Sequence, residues 1–347
     1  MLRAGFARLR FSVRYLPPIR TEDRLNFEPA PIPSFLGPGR SADGVREAIK
    51  NWVRSEALEG ILRAWHADVV NTSDTRGRLK ELERFSAERW DFRGGVERNF
   101  IVEANDARED LVMAAAEALG MRGETEPTQD KYSHMLVLGG LVRACLGRPQ
   151  YAARLVRSRI RTDAITGLGG FRRLSDDERE LAAAAGVPDV IDETDAIDQG
   201  LRLAFQLERE PTDERGADGD SPHSRWLHRR YTDSSPMVSV VAAPSSDPDA
   251  RRANTPDTYR WWAEKVAHLS SSDRILLVTT DIYVPYQGAN AIRMLGLPYG
   301  AEVETIGLDA RNLSDQALRQ PFGTQKYLQE VRSTIRAFSD LWDATIE

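Results

Sequence analysis

Four polar residues that could take part in chemistry stand close after a short apolar run. The run is "ILLV"; Thr279, Thr280 and Asp281 follow it directly, and Tyr283 comes after Ile282. A hydroxyl group can hold a ligand through hydrogen bonds, and a carboxyl or phenol group can exchange a proton with one. Asp281 could equally cap the helix that follows, and the sequence leaves both roles open. We predict Asp281 and Tyr283 as catalytic residues.

Glycine-rich turns follow two other apolar runs. In "HMLVLGGLVR" and "DAITGLGGFRR", a glycine pair ends the run and arginines come within a few residues. Glycine lets a ligand approach the backbone, the N-terminus of a helix favours an anion, and arginine binds phosphate or carboxylate. The alternative is that these segments are only tight turns. The predicted ligand-binding or cofactor-binding residues are Gly139, Gly140, Arg143, Gly169, Gly170, Arg172, Asn254, Thr255, Thr279 and Thr280.

The apolar runs that lead into these residues alternate with helical patterns from residue 131 onward. The runs lie at 134–141, 163–170, 237–244, 274–280 and 301–308. Short runs separated by helices are typical of an α/β protein, so we predict a Rossmann-like, mainly parallel sheet of about five strands with flanking helices. The carboxyl ends of parallel strands meet at one edge of a sheet, which would bring the predicted site residues together.

The chain divides into three predicted parts. Residues 1–44 are predicted as an extended arm, because proline and glycine are frequent there. Residues 45–130 are predicted as a helical N-terminal region that packs on the sheet, and residues 131–347 as the sheet domain. The helical patterns lie at 44–65, 75–90 and 106–120, and "NFIVEA" at 99–104 could be a short strand.

Two charged segments are left out of the predicted site. Residues 206–235 are highly charged and contain several Gly and Pro, so we predict a surface insertion, either a solvated loop or a lid. Glu193 and Asp195 form an acidic pair in "DETDAIDQG". This pair is interpreted as a solvated turn or a helix cap.

The composition narrows the class of protein and of partner. The formal net charge is -6, and acidic residues are interleaved with the arginines, which argues against a nucleic-acid partner. Cys145 is the only cysteine and the five histidines are scattered, so we expect no metal cluster. No apolar run reaches the roughly 20 residues of a membrane span. We therefore expect a cytoplasmic protein without a membrane partner, and a homo-oligomer is compatible with the sequence.

The order of the short motifs resembles the bacterial YdcF/SanA/ElyC-like domain. The motifs are "MLVLGG", "AARLVRS", "DAITGLGG", "SDDERELAAAAGVP", "ANT" and "LLVTT", and they span about residues 132–310. The resemblance implies a Rossmann-like fold, a site at the carboxyl ends of the strands, and nucleotide-type ligands that include S-adenosylmethionine. That family usually places a histidine and then an arginine after its fourth strand. Here Tyr283 and Tyr286 stand in those places.

These observations predict a cytoplasmic enzyme that acts on a small anionic or nucleotide-like molecule at the carboxyl ends of the strands. Group transfer or hydrolysis is favoured over redox chemistry, because no dinucleotide fingerprint is present. S-adenosylmethionine or a nucleotide is the predicted cofactor class. The alternative is a non-catalytic small-molecule-binding or regulatory protein that has lost the family histidine.

Overall fold

The five predicted strands lie within a seven-stranded sheet. The computed structural model describes residues 26–68, 74–92, 107–232 and 234–346. The strands are β1 (Lys131–Leu138), β2 (Arg161–Gly169), β3 (Thr212–Ala217), β4 (Arg225–Tyr231), β5 (Met237–Ala242), β6 (Arg274–Thr280) and β7 (Glu302–Leu308). Their order across the sheet is β3-β4-β5-β2-β1-β6-β7.

Five neighbouring strands of this sheet run parallel, in the order β5-β2-β1-β6-β7. β1 and β6 are neighbours, but the chain continues from β1 to β2 and from β6 to β7, in opposite directions across the sheet. Every residue from Ile275 to Thr280 in β6 is buried. Burial of consecutive side chains is expected for a strand that is covered on both faces.

The prediction of a mainly parallel sheet needs a correction at one edge, where the sheet is mixed. The insertion at 206–235 is not a loop, because it forms β3 and β4, an antiparallel hairpin whose second strand pairs antiparallel with β5. Leu227 and Tyr231 share the buried face of β4. The charged side chains between them hide this pattern in the sequence. β3 is the outer strand, and its exposed charged residues disfavour pairing with another sheet.

Helices cover both faces of the sheet. They are α1 (Ala42–Trp52), α2 (Glu56–Ala64), α3 (Thr75–Arg89), α4 (Glu109–Ala118), α5 (Val142–Ser158), α6 (Asp176–Ala184), α7 (Glu193–Phe205), α8 (Thr255–Trp262), α9 (Val284–Ala291), α10 (Leu297–Tyr299) and α11 (Thr324–Ala344). α5, α6 and α7 pack on one face, and α8, α9 and α11 pack with the N-terminal helices on the other. None of the helices in the described ranges combines the length and the apolar character of a membrane span.

The predicted helical N-terminal region is confirmed, but its first helix is divided in two. The 44–65 pattern forms α1 and α2, because Ser55 between them caps α2 by accepting a hydrogen bond from the Leu58 amide. Gly120 follows α4 with a φ of +75°, as a glycine that ends a helix often does. The suggested strand at 99–104 lies outside the described residues.

The segment before α1 covers the outer edge of β7. Phe35 and Val303 form an isolated antiparallel bridge, in which the Val303 amide donates to the Phe35 carbonyl at 3.0 Å. Further along the same edge, the Gly307 amide donates to the Thr125 hydroxyl at 2.7 Å. These contacts satisfy backbone groups that an open edge would expose. Residues 1–25 of the predicted arm lie outside the described residues.

Candidate functional site

A cavity of about 300 Å³ opens at the carboxyl ends of the parallel strands. It lies where the chain leaves β1 and β6, and the turns after β2 and β5 complete its wall. Open parallel sheets bind ligands at this position, because connections that diverge to opposite faces leave a crevice between them. The predicted residues that line the cavity are Gly139, Gly140, Gly169, Gly170, Arg172, Asn254, Thr255, Thr280 and Tyr283.

The glycine turn after β1 lies directly against Glu193. A Cβ on Gly139 would lie 2.5 Å from Glu193 Oε1 and 2.6 Å from the Leu168 carbonyl oxygen, so a larger residue does not fit. Gly140 has a φ of +156°, which a residue with a side chain rarely adopts. Gly170, in the turn after β2, has open space where its Cβ would be. The turn after β1 therefore requires glycine, whereas Gly170 leaves room in the cavity.

Arg148 of α5 brings a buried positive charge to the cavity wall, with only 3% of the residue exposed. Its Nε donates to Thr280 Oγ1 at 3.0 Å, and its Nη1 donates to the Leu138 carbonyl at 2.7 Å and to the Gly139 carbonyl. These bonds fix the guanidinium between the ends of β1 and β6. The sequence analysis missed Arg148 because it stands eight residues beyond the glycine pair, in the middle of helix α5.

Arg172 lines the cavity, but its charge is engaged by two carboxylates. Its Nη1 and Nη2 bind the two Glu178 oxygens at 2.8 and 2.9 Å, and its Nε lies 3.4 Å from Glu193 Oε2. Its Nη2 also donates to the Gly140 carbonyl at 3.0 Å. Glu178 in turn accepts the Val142 amide at the start of α5 at 3.1 Å. Arg172 therefore joins the two glycine turns to α6 and α7, and its predicted role in holding ligand charge stays a prediction.

Glu193, the first residue of α7, places a carboxyl group in the cavity wall. Asp192, not Glu193, caps the helix by accepting amide hydrogen bonds at 2.9 and 3.0 Å. Burial raises the pKa of Glu193 to about 7, although Arg172 and two further arginines favour its charged form. A carboxyl group with a raised pKa suits the exchange of a proton near neutral pH. The interpretation of this acidic segment as a turn or cap had left Glu193 outside the site.

The β3–β4 hairpin contributes His223 to the cavity wall. His223 stands in the short turn Pro222–Ser224, and its carbonyl accepts the Ser245 amide at 2.8 Å, which joins the hairpin to the turn after β5. The lining also includes Arg252, Phe171 and Tyr286. The insertion therefore supplies a histidine that the sequence analysis had placed away from the site.

Asn254 and Thr255 lie at the cavity because α8 begins there. The Asn254 side chain accepts the Asp257 amide at 3.1 Å, and the Asp257 carboxylate accepts the Asn254 amide at 2.9 Å. This reciprocal capping occupies the side-chain oxygen of Asn254 with the Asp257 amide. What α8 offers a ligand is the partial positive charge of its N-terminus.

Three predicted residues, Arg143, Thr279 and Asp281, do not line the cavity. Neighbouring side chains in a strand point to opposite faces, so Thr279 points away where Thr280 lines the cavity. The Asp281 carboxylate accepts the Gly123 amide at 3.0 Å and thereby ties the segment before β1 to the end of β6. Burial, together with the nearby Asp309 charge, raises the pKa of Asp281 to about 7.

Cys145 lies beside the first glycine turn, with its Sγ 3.5 Å from the Gly140 carbonyl oxygen. Burial raises the pKa of its thiol, so the group is neutral at physiological pH. Among the residues that the structure describes, no three His, Cys, Asp or Glu side chains come together as metal ligands.

Sequence similarity to known proteins indicates a different family from the one that the motifs suggested. A model of the Rv3785 N-terminal domain matches residues 37–120. The uncharacterized protein Rv3785 of Mycobacterium tuberculosis is 30% identical over 333 residues, covering 88% of this chain and 92% of that protein. The uncharacterized protein Mb3814 of Mycobacterium bovis matches to the same extent. No solved structure matches the chain.

The resemblance to the YdcF/SanA/ElyC-like domain is therefore wrong. Its motifs are features that many proteins with parallel strands and helices share: Asn254 in "ANT" caps α8, and Gly186 in "GVP" follows α6 with a φ of +84°. Such residues recur wherever helices begin and end, so their order does not identify a family. The mycobacterial match, in contrast, extends over most of both chains. The chain belongs to the Rv3785 family.

Proposed function

We propose that this protein binds a small anionic or nucleotide-like molecule in the cavity and catalyses group transfer or hydrolysis on it. The observation that carries the proposal is the position of Arg148, buried at the cavity wall between two strand ends. The acceptors described above, two carbonyls and a hydroxyl, orient the guanidinium at the cavity wall. An oriented, largely buried cation attracts an anion more strongly than an exposed one.

Other features of the wall support an anionic ligand. Arg252 adds a second positive charge, and the N-terminus of α8 adds a partial one. The order of the five parallel strands supports a Rossmann-like interpretation, in which nucleotides bind at this edge. A volume of about 300 Å³ is at the lower end for ligand pockets and suits a sugar phosphate or a mononucleotide. Phe171 and Tyr286 offer aromatic surfaces for a base.

A binding experiment tests this proposal. Thermal unfolding is measured with AMP, ADP, a sugar phosphate and S-adenosylmethionine, and the compound with the largest stabilisation is titrated by calorimetry. Arg252→Ala should weaken its binding about tenfold, the effect of losing roughly 1.4 kcal/mol from one charged contact. Arg143→Ala is the matched control and should leave the affinity unchanged, because Arg143 does not line the cavity. Equal effects of the two substitutions, or no stabilising compound, would contradict the proposal.

The same ligand separates an enzyme from a non-catalytic binding protein. Tyr283 lines the cavity, and Tyr283→Phe removes its hydroxyl while keeping the ring. If Tyr283 takes part in the reaction, the substitution should slow turnover while the affinity stays within about tenfold. The other outcome is that the wild type binds the compound and yet converts it neither by hydrolysis in buffer nor by transfer to an added acceptor alcohol. In that case the alternative of a binding or regulatory protein is correct.

A further inference from the structure

We propose that Thr258 and Gln287 form a subsite for a hydroxyl group, so that the ligand contains a sugar that carries an anionic group such as phosphate. This inference rests on the proposed anion binding and adds the group that the cavity recognises beside the anion. Thr258 belongs to α8 and Gln287 to α9, and both line the cavity.

The Gln287 side chain offers hydrogen-bond donors at the cavity wall. Only 7% of the residue is exposed, and its Oε1 accepts a hydrogen bond from the Tyr259 hydroxyl at 3.5 Å. Tyr259 is fully buried in the hydrophobic core, so its phenol orients the amide from a fixed position. This bond uses the amide oxygen, whereas Nε2 carries two hydrogens that it can donate to a ligand.

Thr258 supplies an acceptor from the neighbouring helix. The residue is 5% exposed, and its Oγ1 donates to the Asn254 carbonyl at 3.2 Å. The hydroxyl hydrogen is therefore engaged within α8, while the oxygen can still accept a hydrogen bond. Thr258 directly precedes Tyr259, which contacts Gln287. A ligand hydroxyl can both accept from Gln287 and donate to Thr258, so it matches this pair of side chains.

Packing alone does not explain a glutamine at this position. The other buried side chains of α9 include the apolar Val284, Ala289 and Ala291. A buried amide costs free energy unless its donors and acceptors are paired, so an apolar side chain would fill the same space at a lower cost. A ligand hydroxyl in the cavity would pair the Gln287 amide.

The proposed subsite lies close to the positive charge of Arg148. The Arg148 Nε donates to Thr280 Oγ1 at 3.0 Å, and the guanidinium carbon lies 5.8 Å from the centre of the Tyr283 ring. Tyr283 stands four residues before Gln287, which is about one helical turn. Charge and subsite therefore belong to the same wall of a cavity of about 300 Å³, within the span of one small molecule.

Calorimetry with three phosphates separates recognition of the hydroxyl from recognition of the charge. The probes are ribose 5-phosphate, inorganic phosphate, and butyl phosphate, in which an alkyl chain replaces the sugar. The wild type should bind ribose 5-phosphate at least about tenfold more tightly than the other two, because it adds neutral hydrogen bonds. This comparison needs no variant. Equal affinities for ribose 5-phosphate and butyl phosphate would overturn the inference.

Substitutions assign the effect to the two residues. Gln287→Met and Thr258→Val keep the approximate size of each side chain and remove its hydrogen-bonding groups. Each should weaken the binding of ribose 5-phosphate about five- to tenfold and leave the affinity for inorganic phosphate within about twofold. Arg252→Ala is the matched control, because it removes a charge and should weaken both ligands alike. Unchanged binding of ribose 5-phosphate by both variants, or an equal loss for both ligands, would contradict the subsite.

The subsite and the proposed function can fail separately. If a compound of the ligand panel binds but ribose 5-phosphate has no advantage over the other phosphates, the subsite is wrong and the cavity still binds a ligand. If neither the three phosphates nor any compound of the panel binds, the proposed function is wrong as well. AMP distinguishes the source of the sugar: tighter binding than ribose 5-phosphate indicates a nucleotide, and weaker binding indicates a free sugar phosphate.

Discussion

Single residues set the shape of the cavity through contacts that leave little freedom. Gly139 lies against Glu193, and Arg148 bonds both strand ends beside it. Glu193 in turn meets Arg172, which holds the second glycine turn. Substituting one of these residues should therefore displace its neighbours. Substituting a residue with open space around it, such as Gly170, should not.

Gly139→Ala tests this dependence. The added methyl group would lie 2.5 Å from Glu193 Oε1 and 2.6 Å from the Leu168 carbonyl oxygen, so the structure must shift. We expect a loss of about 1–3 kcal/mol in the free energy of unfolding, the usual cost of overpacking. Gly170→Ala is the control, because open space surrounds its Cβ position, and it should change stability by less than about 0.5 kcal/mol. Similar urea midpoints for the two variants would contradict the close packing at Gly139.

The residue scale also shows what the sequence can predict about the site. The glycine turns were predictable because glycine pairs directly follow apolar runs, and both pairs line the cavity. Arg148 and Glu193 were not predictable, because each reaches the cavity from a helix whose start is hard to recognise in the sequence. α5 contains Pro149, and α7 begins in an acid-rich segment. Asp281 was selected by its place after a strand, but a backbone amide occupies its side chain.

At the scale of elements, the β3–β4 hairpin depends on an ionic contact with α7. Asp198 of α7 is 1% exposed and accepts hydrogen bonds from Arg229 at 3.0 Å and from the Tyr231 hydroxyl at 2.7 Å. Arg229 also binds Asp213 of β3. The contact joins both strands of the hairpin to the helix that carries Glu193. The sequence could not reveal it, because the partners are about 30 residues apart and look like scattered surface charges.

Asp198→Ala should loosen the hairpin. The substitution leaves Arg229 and the Tyr231 hydroxyl without this partner, and we expect a loss of about 2–4 kcal/mol in the free energy of unfolding. Hydrogen exchange should show faster exchange in β4 than in β1. Arg215→Ala is the control. Arg215 lies in β3 and pairs with Asp213 of the same strand, but its side chain is 68% exposed, so the substitution should lower the free energy of unfolding by less than about 1 kcal/mol. Unchanged protection of β4 in Asp198→Ala would show that strand pairing alone holds the hairpin.

At the scale of the whole molecule, the N-terminal helices and the sheet share one hydrophobic cluster. α11 packs against α1, α3 and α4 as well as against α9. The Trp52 ring of α1 meets Phe338 of α11 edge-on, with 5.0 Å between ring centroids. The apolar helix stripes in the sequence predicted that the N-terminal region needs a packing partner, but not that the C-terminal helix provides it.

Removal of residues 1–120 tests whether the sheet folds without the N-terminal helices. The truncation exposes the buried side of α11, including Phe338 and Leu341, so we expect residues 121–347 to lose cooperative unfolding and to bind a hydrophobic dye. Circular dichroism melting of the full chain and the truncated chain gives the comparison. A sharp transition at the same temperature in both would mean that residues 121–347 are independently stable.

The central claim, that an anion binds at the carboxyl ends of the parallel strands, is tested most directly by a crystal structure with the tightest-binding compound of the ligand panel. We predict that its anionic group lies beside Arg148 and Thr280, against the Gly139–Gly140 turn and within reach of Glu193. A ligand bound at the amino ends of the strands, or among the N-terminal helices with this cavity empty, would contradict the claim.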